Sequence, residues 1–164
     1  MFERYGGVMT TLAASMLRDR VEADDVVEET LVRIHRAGPG FRGSRGLRTW
    51  TLRIVANLCR DRLRRRKFTV ELPDEPDALA NARLAWNPGS DWDRAIDGPK
   101  LAAALEQALA ALPVDQREAV VMKYRLEMSQ AEISEALGIP EGTVKSRIGR
   151  GLEALRRALK EWKT

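Results

Sequence analysis

The chain has 164 residues, 44% of them hydrophobic and 32% charged, which is enough for one ordinary domain or two small ones. A single cysteine, Cys59, excludes an internal disulfide framework and a cysteine-rich zinc site, and a single histidine, His35, leaves little for a histidine metal site or a Ser-His or Cys-His catalytic arrangement. Lys and Arg outnumber Asp and Glu by 15 to 8 in residues 1–67, fall to 2 against 7 in 68–99, and stand at 11 against 9 in 100–164, so two basic ends flank an acidic middle and a polyanionic partner is implied for both ends. With no signal peptide and no apolar run long enough to span a bilayer, the expectation is a cytoplasmic chain without membrane insertion, metal or cofactor.

From Phe2 to Arg20, Val8, Leu12, Met16 and Leu17 share one helical face. Asp24 and Asp25 then open a second helix at the pole of its dipole that favours acids. In it, Val27, Leu31 and Ile34 form the inward stripe, while Glu28, Glu29, Arg33 and Arg36 lie mostly off it and Glu29 reaches Arg33 at a favourable i, i+4 spacing. Gly38, Pro39, Gly40, Gly43 and Gly46 break that helix and form a loop carrying Phe41, Arg42 and Arg45.

From Leu47 to Lys67 a third helix is expected, with Leu47, Trp50, Ile54 and Leu58 on one stripe and Arg53, Asn57, Arg60 and Arg64 on another. Its dipole explains a basic C-terminus, Arg64 to Lys67, but not a basic stripe along the whole length. Aromatics beside such a stripe suit unpaired nucleic acid, with bases stacked and cations following the backbone. Cys59 reads as a small apolar filler.

Residues 68–99 hold four prolines, Trp86 and Trp92 but no sustained period, and read as an acidic tether. Beyond it, Leu101, Leu105, Ala108 and Leu112 mark a helix ended by Pro113, and Gln116 to Leu126 makes another.

The stretch from Ser129 to Leu159 is the most explicit. Ser129 with Glu132 three residues on is a capping box, and Gly138 before Pro140 ends one helix and starts the next. That spacing is a helix-turn-helix, whose second helix enters a major groove. On it Val144, Ile148, Leu152, Leu155 and Leu159 form the apolar stripe, and Thr143, Ser146, Arg147 and Arg150 fall on the opposite side, suited to base edges and phosphates. Gly149 and Gly151 weaken helix propensity by about 1 kcal/mol each, so the helix is expected to lose rigidity beyond Ile148.

DDVVEETLVRIHRA, FRGSRGLRTWTLRIVANLCRDRLRRR and the Ser129 to Leu159 unit together resemble a bacterial sigma factor of the extracytoplasmic-function (ECF) group, sigma-70 type. The first two resemble its region 2 and the last its region 4. Asp25 and Glu29 meet the family's acidic DxxQE signature, with Glu28 at the glutamine position.

The resemblance implies an all-α protein of two small helical domains, region 2 over 1–67 and region 4 over 100–164, joined by a flexible acidic linker over 68–99. It implies core RNA polymerase, promoter DNA and an anti-sigma factor as partners, and no catalysis. Asp25, Glu28, Glu29, Arg33 and Arg36 would dock core polymerase. Thr143, Lys145, Ser146, Arg147 and Arg150 would bind the upstream −35 element. Phe41, Arg42, Arg45, Arg48, Arg53, Asn57, Arg60 would take the −10 element, with Phe41 and Asn57 forming the pocket for an unstacked base. The alternatives are a helix-turn-helix regulator acting as a dimer and an adaptor that docks on polymerase without reading DNA.

Overall fold

The computed structural model describes residues 2–37, 46–68 and 98–162, and these form seven α-helices. In chain order they are α1 (Phe2–Leu17), α2 (Arg20–Ala37), α3 (Leu47–Phe68), α4 (Pro99–Ala111), α5 (Val114–Tyr124), α6 (Gln130–Leu137) and α7 (Glu141–Trp162). No strand occurs among the described residues. Phe41, Arg42, Arg45, Trp86 and Trp92 lie outside them.

Local chemistry sets the boundaries. Arg18 turns the chain with φ 55°, and Asp19 Oδ1 accepts the Glu22 N–H at 3.0 Å. α2 therefore starts a turn earlier than the Asp24–Asp25 pair suggests, because Asp19 supplies the cap. Pro99 opens α4, where a missing N–H costs nothing. Ser129 Oγ accepts from Glu132 N at 3.1 Å while Glu132 Oε2 accepts from Ser129 N at 2.7 Å, which completes the capping box at α6. Gly138, at φ 66°, closes α6 in the left-handed conformation, and α7 begins three residues later.

The expected stripes of α1, α2 and α7 are found, with Leu12, Met16, Leu17, Val27, Ile34, Val144, Ile148 and Leu155 buried. α3 differs. Leu47, Trp50 and Ile54 are only half-buried, and the deepest line is Leu52, Val55, Ala56 and Cys59. The reason is that α3 is covered by α1 and α2 and also by α6, so its most enclosed side lies between those neighbours. α7 runs unbroken through Gly149 and Gly151, contrary to the propensity argument. At Gly151 a Cβ would stand 2.7 Å from Val120 Cγ2, so the glycine is what lets α7 approach α5.

The two helical units lie against one another. α1 packs on α5 and α3 on α6, and one buried cluster runs from Met9 and Leu12 through Leu52 and Val55 to Met122, Met128 and Ile133. α5 is the shared centre: every residue from Arg117 to Met122 is buried, so no solvent face remains over that turn and a half.

Candidate nucleic-acid and polymerase interface

Three surfaces carry the residues singled out above. On α2, Asp25, Glu28 and Arg36 are exposed and Glu29 and Arg33 form the expected i, i+4 pair at 2.8 Å. Val21 and Val32 join that face, 70% and 47% exposed. At about 100° per residue, Val21, Asp25, Glu28, Val32 and Arg36 fall within one narrow stripe. The two uncovered valines give this charged face some apolar contact area besides its charge. Arg62 of α3 sets the stripe's edge, lying 3.7 Å from Asp25 and 3.4 Å from Glu29. Arg62 had no sequence signal as part of the site; the valines, which the inward-stripe reading passed over, had one, standing with Asp25 and Glu28 at i, i+4, i+7 and i+11.

α3 presents Arg53 and Asn57 to solvent. Other members of its basic set are engaged. Arg48 Nη2 donates to the Leu126 carbonyl, and Arg60 donates from Nε to Glu118 Oε2 at 2.9 Å and from Nη1 to Asn57 Oδ1 at 3.0 Å.

On α7, Lys145, Ser146 and Arg150 are exposed and Thr143 is half-buried. Arg147 is the correction. It stands at the flank of the apolar stripe, about 100° from its middle, and its side chain is 25% exposed, 3.5 Å from Asp115 and 3.5 Å from Glu118. The helix is as expected, but the acids of α5 draw this guanidinium down off the outer face.

Glu118 is therefore the meeting point. It is 1% exposed and holds Arg60 from α3 and Arg147 from α7. Burial pushes its carboxyl above the usual range, against the downward pull of those two arginines. Its sequence signal was an acid on an apolar register, four residues after Val114 and three before Val121. Arg117, also buried, has its pKa lowered by desolvation first and by Arg18 second, and donates to the carbonyls of Met16, Ala110 and Leu112. No group of three or more His, Cys, Asp or Glu that could hold a metal occurs among the described residues.

This arrangement of helices, a charged stripe followed by a basic helix and a capped helix-turn-helix, matches known proteins. Residues 1–69 match Sigma-70 region 2 and residues 102–155 match Sigma-70, region 4. The ECF RNA polymerase sigma factor SigW of Bacillus subtilis is 34% identical over 96% of this chain and 86% of its own length. The ECF RNA polymerase sigma factor SigM of Mycobacterium tuberculosis is 35% identical over 97% of this chain and 75% of its own. Among solved structures, CnrH in complex with the cytosolic domain of CnrY aligns with TM-score 0.69 and 28% identity, over 98% of this chain and 85% of that one. The sigma factor RpoE in complex with the anti-sigma factor NepR from Bartonella quintana shares the fold, with TM-score 0.72 and 21% identity over 97% and 94% of the two chains.

The chain belongs to the ECF RNA polymerase sigma factors. Sigma factors are specificity factors for transcription initiation rather than catalysts. No described helix is long and apolar enough to cross a membrane.

Proposed function

We propose that the chain works in the cytoplasm as a promoter-reading subunit in which α2 docks on core RNA polymerase, α7 reads the −35 element and α3 with the glycine-rich residues before it captures the −10 element. The observation that carries this reading is the exposed α2 stripe, where Val21 and Val32 stand uncovered among Asp25, Glu28 and Arg36. A face of that kind asks for a protein partner, while the exposed cations of α3 and α7 suit DNA. Region 2 over 1–67, the linker over 68–99 and region 4 over 100–164 divide the labour accordingly. Lys145, Ser146, Arg150 and Thr143 supply the outer face of α7, and Arg147 joins them once it leaves Glu118. Asn57 would pair with the edge of a base that has left the duplex, with Phe41 as its stacking wall. Arg42, Arg45, Arg48, Arg53 and Arg60 would hold the single strand's phosphates. An anti-sigma factor, named in the structure of RpoE with NepR, is the expected inhibitory partner.

Run-off transcription with core polymerase, with and without this chain, tests the reading. Promoter-dependent transcripts are expected only when both are present. Specific binding to duplex DNA by the chain alone as a dimer, with no effect on core polymerase, would favour a conventional helix-turn-helix regulator instead.

A further inference from the structure

Arg60, Leu63, Arg64 and Lys67 recur on α3 at i, i+3, i+4 and i+7, so they share one face of the helix, and that face lines a cleft of about 700 Å³. The facing wall comes from Ala111 and Leu112 at the end of α4, from Pro113 to Asp115 at the start of α5, and from Leu137 and Ile139 before α7. Glu118 and Arg147 complete it. The size falls within the range of about 300–1,000 Å³ that holds a single small molecule.

The charges of the cleft divide into two groups. Arg60 and Arg147 are engaged by Glu118, at 2.9 and 3.5 Å, and Arg147 also by Asp115 at 3.5 Å. Arg64 and Lys67 are held far less. Arg64 has a side chain 69% exposed and reaches the exposed Asp61 at 3.6 Å, a kind of pair that water and salt weaken to almost nothing. Lys67 is exposed and pairs with no acid among the described residues. An anion entering the cleft therefore meets two available cations at the end of α3 and is repelled from the side where Glu118 and Asp115 lie. The dipole of α3 explains cations in its last turn, but it does not explain their position beside an apolar floor.

That floor is aliphatic. Leu63, Val114 and Ile139 are half-buried, each packed in part on the main core and left in part to the cleft. Ala111 and Pro113 are exposed beside them. No aromatic side chain lines the cleft among the described residues, so it offers no ring on which a base could stack. An aliphatic floor with cations at one end suits a ligand of two parts: a flexible apolar body, which gains from leaving water, and an anionic head, which gains charge-assisted hydrogen bonds.

We propose that this cleft binds one molecule of a small anionic amphiphile, with the head on Arg64 and Lys67 and the aliphatic body against Leu63, Val114 and Ile139. The site stands apart from the promoter reading, since none of these five residues is among those assigned to DNA or to polymerase.

The probe is decanoate, titrated into the full chain below its micelle-forming concentration and followed by calorimetry and methyl NMR. Saturable one-to-one binding is expected, with shifts centred on Leu63, Val114 and Ile139 and little change at Val21 and Val32, the uncovered valines of α2. Octanoate should bind about fourfold more weakly, the effect of losing one fully buried methylene. Decyltrimethylammonium, which has the same chain and the opposite charge, and acetate, which has the head without the chain, should show no saturable binding at the same concentrations. Arg64→Gln with Lys67→Gln should weaken decanoate about tenfold. Ala111→Trp, at an exposed position where the indole would fill the cleft, should abolish binding. If Ala111→Trp changes the circular dichroism spectrum, the double replacement on α3 decides alone.

Parent affinity in either folded variant, equal binding by the cationic analogue, or shifts as large on the α2 valines as in the cleft would overturn the proposal. So would the absence of binding, which a chain that covers the cleft with a second copy of itself would show. Sedimentation with anionic vesicles, without saturable binding of free decanoate, would give the basic end of α3 to a membrane surface and also overturn it.

Discussion

Gly151 of α7 faces Val120 of α5 so closely that a Cβ at that position would stand 2.7 Å from Val120 Cγ2, with the Gln116 carbonyl at 3.6 Å behind it. Gly149, two residues earlier, meets nothing within 4 Å. The two glycines have the same propensity cost and opposite structural meanings. Gly151→Ala should destabilise the chain by about 1–3 kcal/mol through overpacking, while Gly149→Ala should stabilise it by about 0.5–1 kcal/mol. Thermal unfolding of the pair checks both signs, and a gain in stability for Gly151→Ala would refute the close-approach explanation.

Cys59 is buried in α3, and its thiol is pushed up to about 12, first by burial and against the pull of Arg62. A raised pKa means that the neutral thiol is favoured in the fold. Its contribution to stability is complete below the unfolded value of 9.0 and is lost as pH rises from there toward about 12. Between pH 8 and pH 10 the parent chain should lose about 1.4 kcal/mol more than Cys59→Ala does, with the variant cancelling the titration of lysine and tyrosine. Urea titrations at the two pH values measure this, and identical losses would refute it.

At the start of α6, the Ser129 N–H first, and then the Ser129 hydroxyl, holds the Glu132 carboxyl below the usual carboxylate range. The depressed value means that the stabilisation is present above the ordinary carboxylate pKa and fades as pH falls through the lowered one. Glu132→Gln should therefore cost stability near neutrality and little at the acid end. Ser129→Ala should cost about 0.5–2 kcal/mol. Acid titration of Glu132 by NMR reports the lowered value directly, and Ser129→Ala, which keeps the backbone N–H, should relax only the hydroxyl's share of it.

Replacing Val32 of α2 by Asp removes apolar contact area without touching an ion pair. We expect affinity for core polymerase to fall about tenfold or more, as for the double reversal Asp25→Lys with Glu29→Lys. The melting temperature should hardly move for Val32→Asp, because the side chain is already uncovered. Wild-type affinity in both variants would move the docking surface off α2.

Arg147 and Lys145 should separate base reading from phosphate holding on α7. Arg147→Ala in holoenzyme should cost about 1–3 kcal/mol at one upstream position and little elsewhere. Lys145→Ala should weaken all sequences alike and reduce the salt slope by about 1. A uniform loss for Arg147→Ala across a panel of upstream variants would make it a phosphate contact.

The helix-turn-helix was legible because its signals are local. Ser129, Glu132, Gly138 and Pro140 act within a few residues of themselves, and no distant packing overrides them. The same holds for the Glu29–Arg33 pair. What could not be read depends on partners far along the chain. The depth of Leu52 and Cys59 over Leu47 and Trp50 is set by α6 as well as α1 and α2, the flank position of Arg147 by Asp115 and Glu118, and the need for Gly151 by Val120. Helical spacing gives the face of a helix but not the number of neighbours that cover it, so α5, enclosed on every side from Arg117 to Met122, offers no single stripe to find.

Arg117 sits on α5, yet it supplies donors to the closing carbonyls of helices on both sides, Met16 at the end of α1 and Ala110 and Leu112 at the end of α4. Severing the peptide chain between α3 and α4 would leave Met16 dependent on a side chain from the other fragment. Mixed, the two pieces should reassociate through that contact, with a reconstitution that follows the product of their concentrations.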